Sequence, residues 1–286
     1  MKGPDFICIG LPKAGTGWLY DQLDAHPDFW MPPVKEILYL ERPISKMQFV
    51  RPSGQPRRGR GDRERLVNRP NLDARDYEFL KFAATCQGEP RDMTRYAQLF
   101  CYKGDLLSGD ISPPYWSLSE DVIETIGARF PETKIIMLVR DPVSRAWSRI
   151  SMAYRSELFD PLLLHDRAGF KGYVDATRKI GSIRATEIMQ RWQRLAPRNP
   201  FQWFAFDDIA ERPDKARHDI VTFLGADPDK KGSGLVADYN RKSEEKKLDM
   251  NVMTRAVLAE HYAEELKAGA QQFGGAAIGW LSKYSA

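Results

Sequence analysis

Residues 5–19 read DFICIGLPKAGTGWL, and this stretch decides the fold of the chain. A short apolar run ends in a glycine-rich turn that contains Lys13, and an apolar-faced segment follows. The pattern predicts a strand over residues 6–10, a phosphate-binding loop, and a helix over residues 16–25. Backbone N–H groups and the positive end of a helix favour an anion at such a loop, and Lys13 adds a full charge.

The loop differs from the P-loop that binds nucleoside triphosphates, although its glycines at positions 10 and 15 have the same spacing. In that motif a Lys follows the second Gly, and a Ser or Thr follows the Lys and holds magnesium. Here Lys13 lies inside the loop, and Thr16 and Gly17 occupy those two places. We therefore expect a bound phosphate without a magnesium ligand, and no metal requirement.

Residues 134–148 read KIIMLVRDPVSRAWS and form the second informative stretch. Its uniformly apolar run at 135–139 predicts a central strand of a parallel sheet. Asp141 is a suitable N-cap and Pro142 suits the first position of the following helix. Arg140 stands at the carboxyl end of the strand, where open α/β sheets bind ligands, and its guanidinium suits a phosphate. The alternative is that Arg140 pairs with Asp141 or another acid.

Together the two stretches resemble the sulfotransferases that use 3′-phosphoadenosine 5′-phosphosulfate (PAPS). Their motifs are most similar to those of the heparan-sulfate and bacterial sulfotransferase-domain group. Residues 12–19 are similar to the family pattern Pro-Lys-x-Gly-Thr-Thr/Ser-x-Leu, with Gly17 in place of Thr or Ser. Arg140 begins the Arg-Asp-Pro element, and Ser148 stands at the family's spacing from it. The resemblance extends to about residue 282 and implies a P-loop-like α/β fold.

The resemblance also implies the roles of the site residues. Lys13 would stabilise the leaving group, and Arg140 and Ser148 would hold the 3′-phosphate of PAPS and of its product PAP. Cofactor binding is expected from the following set: Lys13, Ala14, Gly15, Thr16, Gly17, Trp18, Arg140 and Ser148. Trp18 is either close to the adenine or a core residue at the start of the helix.

The acceptor needs a general base. Residues 35–40, KEILYL, stand where related enzymes have a Lys-Glu-x-x-Phe-Phe-like segment with a basic Glu, which makes Glu36 the expected base. An exposed strand carboxylate is the competing interpretation of Glu36. Asp110, in the segment GDISPPY at residues 109–115, is the second choice, and none of the four histidines has triad or metal spacing.

The remaining pattern predicts one α/β domain over residues 1–286, with a central parallel sheet flanked by helices and a variable substrate-side insertion at 42–95. A further strand is expected at 201–206 and a short extended segment at 32–40. Helices are predicted at 73–100, from Ser117 or Ser119 to 129, and at 183–195, 214–224 and 251–269, with Gly225 ending the fourth of these.

Charge is concentrated in residues 51–70, where seven arginines stand against Asp62 and Glu64 in a chain of net charge +4. This block is either a solvated loop or a flap that attracts an anionic acceptor or PAPS. It lacks interleaved aromatics, so a nucleic-acid partner is not expected. Arg241 and Lys242 belong to a basic run that either closes over the cofactor or is solvated.

The chain enters its first strand without a signal or membrane segment, whereas vertebrate Golgi members of the resembling family carry an anchor. With three cysteines and no metal-site spacing, we expect a cytoplasmic, bacterial enzyme in a reducing compartment, with no membrane partner. Its acceptor is a small molecule or carbohydrate with a hydroxyl or amine. Two rivals remain: a magnesium-dependent nucleotide kinase or NTPase, and a non-catalytic nucleotide-binding module.

Overall fold

The computed structural model describes residues 3–41, 72–86, 89–230, 232, 234–239 and 248–284. The Arg-rich block at 51–70 and the pair at 241–242 lie outside these residues, as does most of the insertion predicted at 42–95. Within the described ranges no helix is both long and apolar enough to cross a bilayer. The same ranges contain no group of three side chains that could hold a metal ion.

A four-stranded parallel sheet forms the centre of the α/β fold. Its strands are β1 (Phe6–Cys8), β2 (Gly109–Ile111), β3 (Lys134–Val139) and β4 (Phe201–Ala205), in the order β2-β1-β3-β4. The apolar run of β3 is central, as predicted, because it pairs with both β1 and β4. The prediction of a parallel α/β sheet is therefore confirmed.

The pairing of β1 with β2 depends on a glycine. Gly109 stands opposite Phe6 in the parallel register. A Cβ on Gly109 would lie 2.5 Å from both the ring and the carbonyl oxygen of Phe6. Any larger residue would push the two strands apart, so this register requires glycine at position 109.

Helices flank the sheet and connect its strands. In the described chain the α-helices are α1 (Thr16–Asp24), α2 (Ala74–Thr85), α3 (Met93–Gln98), α4 (Glu120–Arg129), α5 (Pro142–Arg155), α6 (Arg167–Ala176), α7 (Arg178–Gly181), α8 (Ala185–Leu195), α9 (Phe206–Glu211), α10 (Pro213–Leu224), α11 (Val252–His261), α12 (Ala263–Phe273) and α13 (Ala276–Tyr284). Short 3-10 turns lie at Cys101–Lys103, Pro113–Ser117 and Pro161–His165. The predicted stop of α10 is confirmed, since Gly225 has φ 86° there.

Two predicted helices are each divided. The region 73–100 contains α2 and α3, because Asp92 caps a new helix by accepting from the N–H of Thr94 at 2.6 Å. The region 251–269 is divided at Tyr262, which is fully buried. Its hydroxyl accepts a hydrogen bond from Arg145 at 2.8 Å and donates to the carbonyl of Ile180. In both places a side-chain contact determines the helix boundary.

The prediction of an extended segment at 32–40 is wrong for the second half of that segment. Glu36 and Leu38 have φ values of 65° and 58°, which no strand residue adopts. The backbone N–H of Leu38 donates to the hydroxyl of Ser112 at 3.1 Å. A side chain, and not a neighbouring strand, therefore satisfies this part of the backbone.

The strand order also locates the edge at which ligands bind. β1 is followed along the chain by β2 on one side of it, whereas β3 is followed by β4 on the other side. Open α/β sheets bind ligands at the carboxyl ends of the strands where the order reverses. In this fold that point lies between β1 and β3.

Candidate active site

The loop after β1 lies at this carboxyl edge. The N–H of Leu11 donates to the carbonyl of Leu138 at 2.8 Å, which fixes the loop against β3. Lys13 and Gly15 have φ values of 70° and 96°. A Cβ on Gly15 would lie 3.2 Å from two side chains of α9, so both the backbone conformation and the available space favour glycine.

The helix that follows this loop begins with free backbone donors. Gly15 is the N-cap of α1, and no side chain of the described chain caps it. The first N–H groups of a helix have no partner within the helix, and the dipole makes this end positive. The N–H groups of Thr16 and Gly17 can therefore bind a phosphate. The N–H of Ala14 is used inside the loop, where it donates to the carbonyl of Leu11 at 3.2 Å.

Arg140 links the ends of β1 and β3. Its Nη1 donates to the carbonyl oxygen of Lys13 at 3.0 Å, and its guanidinium carbon lies 4.3 Å from the centre of the Phe206 ring. Burial lowers the pKa of Arg140 below the usual arginine value, but arginine remains charged in proteins. The structure thus brings the Arg140 guanidinium to the backbone of the loop that carries Lys13.

The carboxylate of Asp141 is hydrogen-bonded to groups other than Arg140. The alternative ion pair between Arg140 and Asp141 is therefore not observed among the described residues. One carboxylate oxygen accepts from the N–H groups of Val143 and Ser144 at 2.9 and 3.3 Å, as expected for an N-cap. The other accepts from the hydroxyls of Ser144 and Tyr284, both at 2.7 Å, and from Lys283 at 3.3 Å. The C-terminal helix α13 therefore packs over the start of α5.

One face of α5 meets the loop lysine. The ammonium of Lys13 lies 3.7 Å from the sulfur of Met152. Ser148 is half-buried and precedes Met152 by four residues, which places both on the same side of the helix. Ser148 therefore lies on the face of α5 that meets the loop, and its contact with a 3′-phosphate stays a prediction.

Glu36 is connected to the loop through a lysine. The ammonium of Lys35 lies 3.1 Å from the carboxylate of Glu36 and 3.5 Å from the hydroxyl of Thr16. The Lys35 side chain is 11% exposed, whereas that of Glu36 is 32% exposed. The expected base is therefore next to the start of α1 and is partly accessible from outside.

Asp110 is a buried carboxylate surrounded by hydroxyl donors. It accepts from Ser112 at 2.6 Å, from Tyr115 at 2.7 Å and from Tyr96 at 3.1 Å. Burial raises the pKa of Asp110 to about 6, while the three hydroxyl donors oppose this rise. Its full burial gives no path to an acceptor, so Glu36 is the better placed of the two candidate bases.

The same hydroxyls hold the segment that carries Glu36. Ser112 accepts from the N–H of Leu38 at 3.1 Å, and Tyr115 accepts from the N–H of Leu40 at 3.2 Å. Asp110 orients both hydroxyls, because each donates its proton to that carboxylate. The carboxyl end of β2 thus anchors the irregular segment at residues 35–40.

Trp18 is a buried residue of α1. Its side chain donates from Nε1 to the carbonyl of Ala237 at 2.6 Å, and only 9% of the residue is exposed. This position fits the core interpretation. A contact of Trp18 with adenine stays a prediction.

The sequence assigned no role to Lys35 or Met152, and it named Arg149 only as a helix arginine that could help to hold the 3′-phosphate. The fold brings all three to the site. Lys35 stands beside Glu36, and its place in the Lys-Glu pair was the available signal. Met152 had only its spacing of four residues from Ser148 as a signal, and Arg149 had only its spacing of three residues from Met152. Many surface residues share such spacing, so it does not distinguish them.

Comparisons with known proteins show a family and a fold for this chain. The model of a sulfotransferase family matches residues 4–230. Over 163 residues the chain is 31% identical to carbohydrate sulfotransferase 15 of Mus musculus and of Rattus norvegicus, in matches covering 51% of this chain and 26% of those proteins. The chain thus spans about a quarter of these relatives. A crystal structure of a sulfotransferase from Alicyclobacillus acidocaldarius has the same fold, with a TM-score of 0.65 at 19% identity, covering 98% of this chain and 99% of that one.

Proposed function

The chain belongs to the sulfotransferase family, and we propose that it moves a sulfuryl group from PAPS to a hydroxyl or amine of an acceptor. The observation that carries the proposal is the 3.0 Å hydrogen bond from Arg140 to the carbonyl of Lys13. This bond holds Arg140, the residue expected at the 3′-phosphate, against the loop expected to bind the 5′-phosphate. The site lies at the sheet edge where such folds bind ligands.

The residues of the site fit PAPS. The uncapped start of α1 offers N–H groups to the 5′-phosphate, and Lys13 stands beside it. Arg140 and Ser148 would hold the 3′-phosphate. A Cβ on Gly17 would meet nothing within 4 Å, so the helix start is open toward a ligand. PAPS would supply the sulfuryl group, and it would leave as PAP.

The chemistry assigned to the protein is charge stabilisation and proton transfer. The Lys13 ammonium stabilises the charge that develops on the bridging phosphate oxygen when its bond to sulfur breaks. The Glu36 carboxylate accepts the proton of the acceptor hydroxyl or amine as the new bond to sulfur forms. By analogy with phosphoryl transfer, in-line positioning of the two reactants supplies much of the remaining catalysis.

A carbohydrate is the first acceptor class to test. The mammalian relatives are named carbohydrate sulfotransferases, although the chain spans only part of their length. The partial exposure of Glu36 is compatible with a large acceptor that approaches from outside. Small alcohols and amines form the second class.

The test combines binding and transfer. We expect calorimetry in the presence of EDTA to show binding of PAP, and labelled sulfate from PAPS to enter carbohydrate or small-molecule acceptors of a cell extract. Lys13→Ala should abolish transfer. The proposal fails if the protein binds ATP only with magnesium and does not bind PAP, as the NTPase rival requires. PAP binding without transfer to any acceptor would favour the non-catalytic rival.

A further inference from the structure

Two cations converge on one thioether at the end of the phosphate loop. The Lys13 ammonium and the Arg149 guanidinium each lie 3.7 Å from the sulfur of Met152. Their nitrogens are therefore at most twice that distance apart. Lys13 comes from the loop after β1, and Arg149 comes from the second half of α5, so only the tertiary fold brings them together.

The three arginines of α5 have different surroundings. Arg145 is fully buried and donates to the carbonyl of Ile180 at 3.2 Å and to the hydroxyl of Tyr262 at 2.8 Å. It therefore belongs to the scaffold. Arg155 is exposed in the last turn. Arg149 is half-buried, and its guanidinium contacts the sulfur of Met152, which the loop lysine Lys13 also contacts.

Arg149 has no carboxylate within ion-pair distance among the residues that the structure describes. The group beside it is the neutral thioether of Met152, and the Lys13 ammonium lies 3.7 Å from the same sulfur. Two like charges at this separation repel each other, and partial burial weakens the screening by water. An anion between them would remove this repulsion.

A tetrahedral oxyanion fits such a pair, because its oxygens accept charge-assisted hydrogen bonds of about 2.8 Å on opposite sides. The planar fork of an arginine can contact two of these oxygens together. We infer that Arg149 binds the sulfuryl group during transfer, opposite Lys13. This inference rests on the proposed function.

Lys13 and Arg149 then stabilise different oxygens during transfer. Lys13 stabilises the bridging oxygen, which keeps the electron pair of the broken bond to sulfur. Arg149 contacts the peripheral oxygens of the sulfuryl group and holds sulfur in line between the bridging oxygen and the acceptor atom. PAP lacks these oxygens, so Arg149 should distinguish PAPS from PAP.

The test compares the Kd of PAPS with that of PAP, by calorimetry in EDTA, for the full chain and for Arg149→Met. We expect Arg149→Met to weaken PAPS binding by about tenfold, as one charged hydrogen-bonding group contributes, and to leave PAP binding within about twofold. Arg149→Lys should recover part of the PAPS affinity. Arg155→Met, on the same helix, is the matched control and should change neither Kd.

Each other outcome overturns the inference. Equal losses for PAPS and PAP would assign Arg149 to a phosphate, and unchanged affinities would leave it without a role at the site. In both cases the proposed function would stand, because the unaltered protein still binds both nucleotides. If the unaltered protein binds neither nucleotide, the proposed function fails together with this inference. Thermal melts of the variants exclude unfolding as the cause of a loss.

Discussion

Glu36, the expected general base, is both partly exposed to solvent and linked to the start of α1. Its carboxylate is partly exposed, and Lys35 links it to the hydroxyl of Thr16 at the start of α1. We expect Glu36→Gln to lower kcat by about 100-fold or more, because general-base catalysis contributes at least that factor. PAP affinity should be kept, which calorimetry can check. Equal kcat for Glu36→Gln and the unaltered protein would place the base elsewhere.

Gly17 departs from the family pattern at a place where space is available. An added Cβ would meet nothing within 4 Å. A hydroxyl there could donate to the 5′-phosphate, so Gly17→Ser should tighten PAP binding by about threefold to tenfold. Gly172→Ser is the matched control, since Gly172 is also helical and open, in α6. Unchanged or weaker PAP binding by Gly17→Ser would show that no phosphate lies within reach of that side chain.

At the scale of elements, β2 supports the segment at residues 35–40 through side chains. Asp110 of β2 accepts hydrogen bonds from the hydroxyls of Ser112 and Tyr115, and these hydroxyls accept from the backbone N–H groups of residues 38 and 40. A buried polar network of this kind is stable only when its members are satisfied. The network explains how an irregular segment keeps a defined position.

This network predicts a pH-dependent stability. Burial raises the folded-state pKa of Asp110 from 3.8 to about 6. The stability contributed by the protonated form is therefore present below about pH 4 and is lost as pH rises through about 6. Asp110→Asn lacks this titration, so its destabilisation relative to the unaltered protein should shrink by about 2 to 3 kcal/mol between those pH values. Urea unfolding at several pH values measures the difference.

Asp92→Asn provides a control of opposite sign. Hydrogen bonds from the N–H groups of Thr94 and Arg95 lower the pKa of Asp92. Its contribution to stability is therefore present above the unfolded pKa and lost as pH falls through the folded pKa. A destabilisation by Asp110→Asn that stays constant with pH would contradict the assigned titration.

At the scale of the whole molecule, the C-terminal helix joins the ends of two strands. Trp280 of α13 donates to the carboxylate of Asp207 in α9, at 3.1 Å to each oxygen, and Tyr284 donates to Asp141 at the start of α5. The helix thus connects the segments that follow β4 and β3. Arg140 directly precedes Asp141, so these contacts hold the surroundings of the expected 3′-phosphate site.

Tyr284→Phe tests this connection. Loss of one hydrogen bond to a carboxylate should lower the free energy of unfolding by about 1.5 to 3 kcal/mol and lower Tm by several degrees. Tyr77→Phe is the control, because Tyr77 is 45% exposed on α2. Thermal denaturation followed by circular dichroism measures both variants. Equal melting curves for the two would show that α13 does not stabilise the fold through Tyr284.

The sequence alone determined the local features of this protein. The apolar runs at 135–139 and 201–206 predicted strands, Asp141 and Pro142 marked the start of α5, and the turn around Lys13 indicated a phosphate loop. Each signal depends on neighbours within a few residues, so it can be read without a structure. The shared family motifs extended these signals to a fold and a reaction class.

The tertiary structure alone decided which side chains meet. It placed Met152 and Arg149 beside Lys13, more than 130 positions away in the chain. It also turned residues 35–40 away from a strand conformation and divided the last long helix at Tyr262. These outcomes depend on buried hydrogen bonds between distant segments. The periodicity of a local sequence does not predict such partners, because it indicates only which face of an element is apolar.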